Sequence, residues 1–480
     1  MSLSAPNRWH VLALVCVAQF MVILDATIVN VALPTIEDGL HFSPTGLQWI
    51  VNSYTLVFGG FLLLGGRAAD LFGTQRLFIA GLALFTGASL VNGIATSSGM
   101  LVGGRAVQGL GAALVSPAAL AIVTRTFRDG AERTKALGVW SAIAAGGGAA
   151  GLLLGGVLTE TLSWRWVFFI NLPIGIVAAL LALRMISNEV GDEKPATTDT
   201  AGAVTVTGGL LVLVYAIVKA ETYGWASGKT LGLFAVAIAL LAAFVAVELR
   251  SRAPLIRLGI FKTRSLTIAN VSMLLVGSGL FAMFFFVSLY VQQLRGYSPI
   301  KAGLAFLPFT FGIVIGAALA QQAIRRFGVK YVPVGGLVLA VVGILLYTQL
   351  SLTGSYFGEV FPAVMATSIG MGLTFVPVTL LATTNIPGED AGLASGLFNT
   401  SQQIGGALGL AVLSTLAASR TSGREGALGH DGALLSGYHL AFVVGAALMA
   451  SAIVLLATMI RRRDVQTIDA VDEVPMPIAA

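Results

Sequence analysis

Three observations predict an all-α protein that crosses a membrane many times. Of 480 residues, 56% are hydrophobic and only 10% charged, with a mean hydropathy of +0.89. A soluble domain of that length needs a far larger charged surface. The apolar residues also fall in blocks of about 20, the length that carries a helix across a bilayer core. Finally, the basic residues gather in short stretches between these blocks, which is how membrane topology is written.

Fourteen apolar blocks can be drawn, at 11–33, 49–66, 77–96, 101–124, 136–158, 165–184, 201–219, 230–248, 267–291, 303–323, 332–352, 357–383, 394–417 and 438–460. An even number places both termini on one side. If that side is the cytoplasm, twenty of the Lys and Arg residues fall inside and seven outside, so cytoplasmic termini are expected. The first block contains Asp25 and is too long for a signal-peptide core, so it is expected to be retained as a span.

Two stretches break the rhythm. Residues 185–200 are polar and read as a linker. Residues 250–266 are basic with interleaved Leu, Ile and Phe, and are expected to lie along the inner membrane surface. The blocks 201–219 and 230–248 sit between them, and removing that pair leaves six on each side. The expected organisation is an N-terminal six-helix bundle (11–184), a linker region with two extra spans and the basic loop (185–266), a C-terminal six-helix bundle (267–460) and a cytoplasmic tail (461–480). The segments GGRAADLFGTQRLF, after block 2, and QQAIRRFGVKYV, after block 10, repeat a basic residue, Phe-Gly and a second basic residue. Such a repeat fits two bundles related about the membrane normal, with a substrate site at their interface.

The net charge of +6 lies in these loops and does not indicate nucleic acid. Cys16 is the single cysteine, which leaves no disulfide framework and no Cys-based metal site. The four histidines have no ligand spacing. No metal site and no cofactor are expected. There is no phosphate-binding G-x-x-x-x-G-K-[ST] loop and no Ser-His-Asp or paired-carboxylate constellation, so no catalytic residues are assigned and an enzyme is not expected.

Charge inside a bilayer is costly and needs a reason. Asp25 is the single acidic residue deep in a block. It is either a structural hydrogen-bonder or a proton or substrate site. Arg105 opens block 4 and shares a helical face with Gln108, Gly109, Ala112 and Ser116, a small, polar face suited to a packed or watery interior. Its guanidinium could hold a carboxylate ionised, relay protons through water or serve structure. Gly147, Gly151 and Gly155 recur every four residues in block 5, a spacing that lets helix backbones approach. In block 13, Asn399, Gln402, Gln403 and Gly406 share a face that binds substrate or links helices. The aromatic stretch LFAMFFFVSLY (280–290) includes Phe284 and Tyr290 and must meet both lipid and any cavity.

The residues then resemble a known family. LDATIVNVALPTI (24–36) looks like the span-1 signature of the 14-helix drug:proton antiporters of the major facilitator superfamily. GGRAADLFGTQR (65–76) resembles the superfamily's cytoplasmic-loop motif, RAVQGLGAA (105–113) its span-4 motif and GLLLGG (151–156) the exporter motif of span 5. WRWVFFINLPIG (164–175), APLIRLGIFKTRS (253–265), YVQQLRGYSPIKAGLAFLP (290–308) and GEDAGLASGLFNTSQQIGGALG (388–409) are similar to further family blocks. These eight occur in order, and the resemblance runs from residue 11 to about 460.

The resemblance implies a major facilitator fold arranged 6 + 2 + 6 and alternating access driven by the proton gradient. It implies proton coupling at Asp25 and Arg105 and a conformational latch of Asp70, Gly73, Arg76 and Arg125. Substrate contacts are expected from Asn30, Gln108, Phe284, Tyr290, Asn399, Gln402 and Gln403. Leu71 and Thr74 depart from basic residues usual in the loop motif, and Leu152 stands where the exporter motif has Pro. Block 13 carries no carboxylate, which favours neutral, zwitterionic or monocationic amphiphiles. The expected protein is a multi-pass exporter of the bacterial plasma membrane, working as a monomer on hydrophobic or amphiphilic small molecules and protons. The alternatives are an efflux carrier dedicated to one metabolite or self-made antibiotic, and a non-transporting receptor or scaffold on the same fold.

Overall fold

A computed structural model of the chain describes residues 7–127, 130–186, 199–251, 254–383, 386 and 391–461. Most of the 185–200 linker and all but the first residue of the tail lie outside the described residues, as do Arg128, Lys194 and Arg252. Among the described residues the structure is helix and turn, without strands. In hydrocarbon, helices satisfy every internal backbone group, which open strands cannot do.

The long helices are α1 (Arg8–Leu40), α2 (Trp49–Phe72), α3 (Thr74–Gly93), α4 (Ser98–Thr126), α5 (Gly130–Thr161), α6 (Asn171–Met185), α7 (Thr200–Tyr223), α8 (Gly228–Arg250), α9 (Arg264–Leu289), α10 (Pro299–Phe327), α11 (Tyr331–Leu346) and α12 (Phe361–Thr383). A final helical stretch, Ala391–Met459, breaks at Gly429 (φ 68°, ψ 174°) into α13 (391–428) and α14 (430–459). Short helices precede α2 (Pro44–Leu47) and α6 (Trp166–Phe169). By length and apolarity, 12 helices among the described residues suit a membrane crossing; that count takes 392–459 as one and leaves out α5.

Polar caps fix several helix starts. Asn7, Ser97, Asp199 and Ser227 each accept a backbone N–H of the turn they precede, satisfying donors that would otherwise be unpaired. The ends depend on glycine. The stretch after block 2, expected to be a loop, is one residue: α2 runs through Arg67 and Asp70 to Phe72, and Gly73 alone (φ 91°) separates it from α3. After α10, Gly328 (φ 79°) follows Phe327 in the same way. In both copies of the Phe-Gly repeat the glycine therefore takes a φ that side chains disfavour.

The stretch 418–437 also differs from expectation, being helical on both sides of Gly429 instead of a loop. Its polar residues tie the two helices together: Arg420 Nε donates to Ser436 Oγ (3.3 Å) and Thr421 Oγ1 to Ala433 O (3.3 Å). Gly437 lets α14 pass against Ala417 of α13. The basic 250–266 stretch contains one 3₁₀ turn, Leu258–Lys262, with Leu255 and Ile260 buried.

The chain divides into two compact units. One comprises Met1–Leu255 with Val287–Leu307, the other Ile256–Phe286 with Pro308–Ala480. In the first unit, α1 packs against α5, and α4 against α2 and α3. Three glycines of α5 face α1: a Cβ on Gly147 would meet Ile23, on Gly151 Thr27 and the Leu24 carbonyl, and on Gly155 the Ile28 carbonyl. The pair α7–α8 docks through α7 on α2, where Gly60 leaves room for Thr207 and Trp49 meets Tyr215. On α8, Ile238 is 64% and Leu249 71% exposed, an apolar surface that fits lipid and would be unusual against water.

The segment Val287–Leu307 is held to the first unit by polar contacts. Ser288 Oγ donates to the Asn30 carbonyl (2.7 Å), Gln293 Nε2 to Glu37 Oε2 (2.7 Å), and the Ile300 N–H to Glu160 Oε2 (2.9 Å). In the second unit, α13 packs on α9. A Cβ on Gly405 would fall on the backbone of Leu274, one on Gly409 on Ser278, and one on Gly277 on the Gln402 carbonyl.

Candidate functional site

The site is built inside the first unit, where one turn from each of five helices meets. Asp25 lies on α1, Tyr54 on α2, Ser89 and Asn92 on α3, Arg105 and Gln108 on α4, and Asn171 at the start of α6. Asp25, Ser89, Asn92, Gln108 and Asn171 are wholly shielded and Arg105 is 1% exposed. Spacing of three residues places Ser89 with Asn92, and Arg105 with Gln108, on common faces. Gly109, the next residue of α4, lets that face close on the Tyr54 carbonyl.

Asp25 and Arg105 form an ion pair through Oδ2 and Nη1, 2.5 Å apart. Taking two charges out of water costs several kcal/mol each, which attraction offsets only with good geometry and further hydrogen bonds. Both ions have those bonds. Asp25 Oδ1 accepts from Gln108 Nε2 (2.7 Å) and Asn171 Nδ2 (2.8 Å). Arg105 donates from Nη1 to Gln108 Oε1 (2.9 Å) and from Nε to the Ile50 carbonyl (3.1 Å). Its guanidinium also lies 4.2 Å from the Tyr54 ring centre and 5.9 Å from that of Phe168, a cation–π arrangement strengthened by the dry surroundings. The arginine thus keeps partners that do not depend on the charge of Asp25. A proton could neutralise the carboxylate without stranding the cation.

A second layer fixes Gln108. Its Oε1 accepts from Asn92 Nδ2 (2.8 Å) as well as from Arg105, and its Nε2 reaches Ser89 Oγ (2.6 Å). Ser89 Oγ also accepts from Asn171 Nδ2 (3.3 Å). Gly104 allows Asn92 to approach α4. Asp25 is therefore reached by three donors, a constellation able to stabilise an anion where water is excluded.

The other sequence-derived residues take varied places. Gln108, expected to contact substrate, is fully buried in this cluster. Asn30 is half-buried and its amide donates to its own helix at Ala26 O and Thr27 O. Tyr290 is buried within a π turn, Tyr290–Leu294, a distortion often found at functional positions. Phe284 packs edge-on against Phe309, ring centres 4.7 Å apart. Asn399 is exposed and bonds back to Ser395 O, while Gln402 and Gln403 are half-buried. On the expected latch, Gly73 is buried in the turn, Arg76 is exposed and Arg125 half-buried; the side chain of Asp70 lies outside the described residues. No cluster of His, Cys, Asp or Glu among the described residues could hold a metal.

Sequence reasoning missed Asn171, Ser89, Asn92 and Tyr54. The available signal was in WRWVFFINLPIG: a lone asparagine at the head of an apolar helix, directly after a run of aromatics.

A paired carboxylate and arginine buried within a bundle of membrane-length helices marks a functional position. The chain belongs to the Major Facilitator Superfamily, whose family description matches residues 15–410. It is a multi-pass protein of the bacterial plasma membrane. It is 40% identical over 417 residues to the cephamycin export protein CmcT of Amycolatopsis lactamdurans, covering 86% of this chain and 85% of that one. It is 39% identical over 423 residues to the puromycin resistance protein pur8 of Streptomyces alboniger, covering 87% and 83%. The multidrug resistance protein Stp of Mycobacterium tuberculosis is 34% identical over 415 residues, covering 86% and 77%. Among solved structures, a bacterial homologue of the human lysosomal transporter Spinster superimposes with a TM-score of 0.69 at 16% identity, covering 97% of this chain and 98% of that one. An auto-inhibited peptide transporter of the POT family gives 0.70 at 15%, covering 94% and 97%. These two likenesses concern the fold.

Proposed function

We propose that this chain is a proton-coupled antiporter that exports hydrophobic or amphiphilic drug-like molecules by alternating access. The observation that carries the reading is the buried Asp25–Arg105 pair with its amide shell, in a chain 34–40% identical to antibiotic export and multidrug resistance proteins. A carboxylate that can be neutralised beside an arginine with other partners is the element a proton-driven carrier needs. Fourteen spans arranged 6 + 2 + 6 with cytoplasmic termini, action as a monomer and no cofactor beyond the proton gradient complete the reading. The domain limits are 11–184, 185–266 and 267–460. Asp70, with Gly73, Arg76 and Arg125, acts as latch, and Asn30, Phe284, Tyr290, Asn399, Gln402 and Gln403 supply substrate contacts.

Inverted vesicles carrying the chain test it. Added substrate should collapse an imposed proton gradient, and Asp25→Asn should abolish that collapse while leaving the protein inserted. A wild-type protein that moves no protons with any compound of a toxic panel would refute the reading. A second reading, export dedicated to one antibiotic, is favoured by relatives whose names record a single compound, such as cephamycin. A resistance profile confined to one chemical scaffold would select it.

A further inference from the structure

Two amide oxygens of the ion-pair cluster are buried without a hydrogen-bond partner, Asn92 Oδ1 and Asn171 Oδ1. Of the two amides, that of Asn171 is the one bonded to Asp25 itself. It presents its Nδ2 to Asp25 Oδ1 (2.8 Å) and to Ser89 Oγ (3.3 Å). That orientation suits an ionised Asp25, which accepts and cannot donate. A protonated Asp25 has the opposite need. Its new O–H would face two N–H donors, from Gln108 and Asn171, and would require an acceptor.

Gln108 cannot supply one by turning over. Its Oε1 already accepts from Arg105 and Asn92, and reversal would set its NH₂ against the guanidinium. Asn171 is held from one side alone. A half-turn about its χ2 exchanges Nδ2 for Oδ1, so the acceptor comes to Asp25 and Ser89. Ser89 can follow, because a hydroxyl that now accepts can rotate to donate. Arg105 stays charged on Gln108, Ile50 and the Tyr54 ring. Among the described residues, the charged groups facing this cluster are Asp25 and Arg105. The remaining titratable group is Tyr54, whose hydroxyl donates to Val22 O at 3.4 Å.

We propose that Asn171 is a two-sided positioning residue for proton coupling, donating to Asp25 when it is ionised and accepting from it after protonation. Resting on the proton-coupled reading, this adds a residue and a movement to it. The proton arrives from water, forms an O–H bond at Asp25 Oδ1 and breaks no bond in the protein. One end of the Asn171 amide lacks a partner in either orientation, so the turn gives the new O–H an acceptor without adding a second unmet group.

Infrared difference spectra between low and high pH, on the full-length chain in lipid, test the proposal. In the wild type, protonation should raise an acid C=O band that Asp25→Asn removes, at the frequency of an acid whose O–H is hydrogen-bonded. In Asn171→Leu, of similar size but without polar atoms, that band should move up to the frequency of a free acid. Gradient-driven flux should fall about ten-fold, the equivalent of one lost buried hydrogen bond, while substrate counterflow, which needs no net proton movement, persists. If the Leu variant fails to insert, Asn171→Ser decides, because its hydroxyl stops one bond short and the band must still rise. An unmoved band in these variants overturns the role of Asn171 alone. A wild type with no Asp25-dependent band and an Asp25→Asn variant that still couples overturn the proton reading, and this proposal with it.

Discussion

In the first unit α5 reaches α1 through Gly147, Gly151 and Gly155; in the second, α13 reaches α9 through Gly405, Gly409 and Gly277. Both are contacts of small residues that bring helix backbones close together. What crosses the contact differs. Beside the α1–α5 seam lies a buried carboxylate with an arginine and three amides. Beside the α9–α13 seam lie neutral groups, with Ser401 Oγ donating to Asn270 Oδ1 (2.8 Å) and Ser278 Oγ to Gly405 O (2.9 Å). Glycine-mediated packing is therefore common to the two units, while a buried carboxylate–arginine pair is found, among the described residues, in the first. In bilayer surroundings helix association depends on close packing, and such packing is compatible with quite different polar groups beside the seam.

The largest effect is expected of Arg105→Ala. It removes one member of a buried pair, and Asp25 must then either stay charged without its main partner or take up a proton, so a loss of up to about 3–5 kcal/mol in stability is expected, with transport abolished. Thermal unfolding in detergent measures the first and vesicle flux the second. The double variant Asp25→Leu/Arg105→Met should recover most of the stability and none of the coupling, because an apolar pair of similar bulk carries no desolvation cost. If Arg105→Ala unfolds at the wild-type temperature, the pair contributes little, and the two units differ less than their composition suggests.

Both members of that pair are legible in the amino-acid order, because a carboxylate and a guanidinium inside apolar blocks have no inexpensive explanation. The glycines of α5 are legible from their four-residue spacing. The amide shell is not. Asn, Ser and Thr are common in membrane helices because they can bond their own backbone, as Asn270 does to Leu266 O and Thr27 to Ile23 O. Whether Asn171, Asn92 or Ser89 does that or crosses to a neighbour depends on helix rotation, which sequence period fixes only loosely. The α9–α13 seam is hidden for a related reason: Gln402 faces α9 through its backbone carbonyl, so its side-chain chemistry is no guide. Helix ends mislead where polar residues continue a helix, as at Arg67–Phe72 and 418–437.

The next effect concerns helix packing in the two units. A Cβ at Gly405 would strike the Leu274 carbonyl oxygen and carbon, the latter at 2.6 Å, backbone atoms that cannot rotate away; one at Gly147 would meet the Ile23 side chain at 3.1 Å, a much milder contact. Gly405→Ala should cost about 1–3 kcal/mol, as overpacking does, and Gly147→Ala clearly less. Equal shifts in unfolding temperature would mean that the seam yields as a whole and backbone contact is not limiting.

A smaller effect tests the neutral polar groups. Ser401→Ala removes one hydrogen bond to Asn270 Oδ1, whose amide stays bound to Leu266 O. About 1 kcal/mol is expected, with gradient-driven flux and its pH profile unchanged. A displaced pH profile would show that the second unit shares in the proton chemistry and would remove the contrast drawn between the two.

The smallest effect concerns a charge of the first unit that lies in water. Glu160, exposed at the end of α5, accepts the Ile300 N–H at the head of α10 and a hydrogen bond from Ser298, which together hold its carboxyl below the ordinary value of 4.5. The head of a helix favours an anion through its unpaired N–H groups and dipole. A depressed value means that the contact stabilises when the carboxyl is ionised. Its contribution is present above 4.5 and is lost as pH falls below that value toward the group's own. Acidification from neutral should therefore loosen Val287–Leu307 from α5, and Glu160→Ala should show the loosened state at neutral pH. Spin labels at Leu162 and Lys301, both exposed, on a Cys16→Ser background would report the distance. Broadening on acidification in the parent, and pH-independent broadening in Glu160→Ala, are expected. A distribution that broadens equally with and without Glu160 would place the acid sensitivity elsewhere, with Glu37 and its bond from Gln293 as the next group to replace.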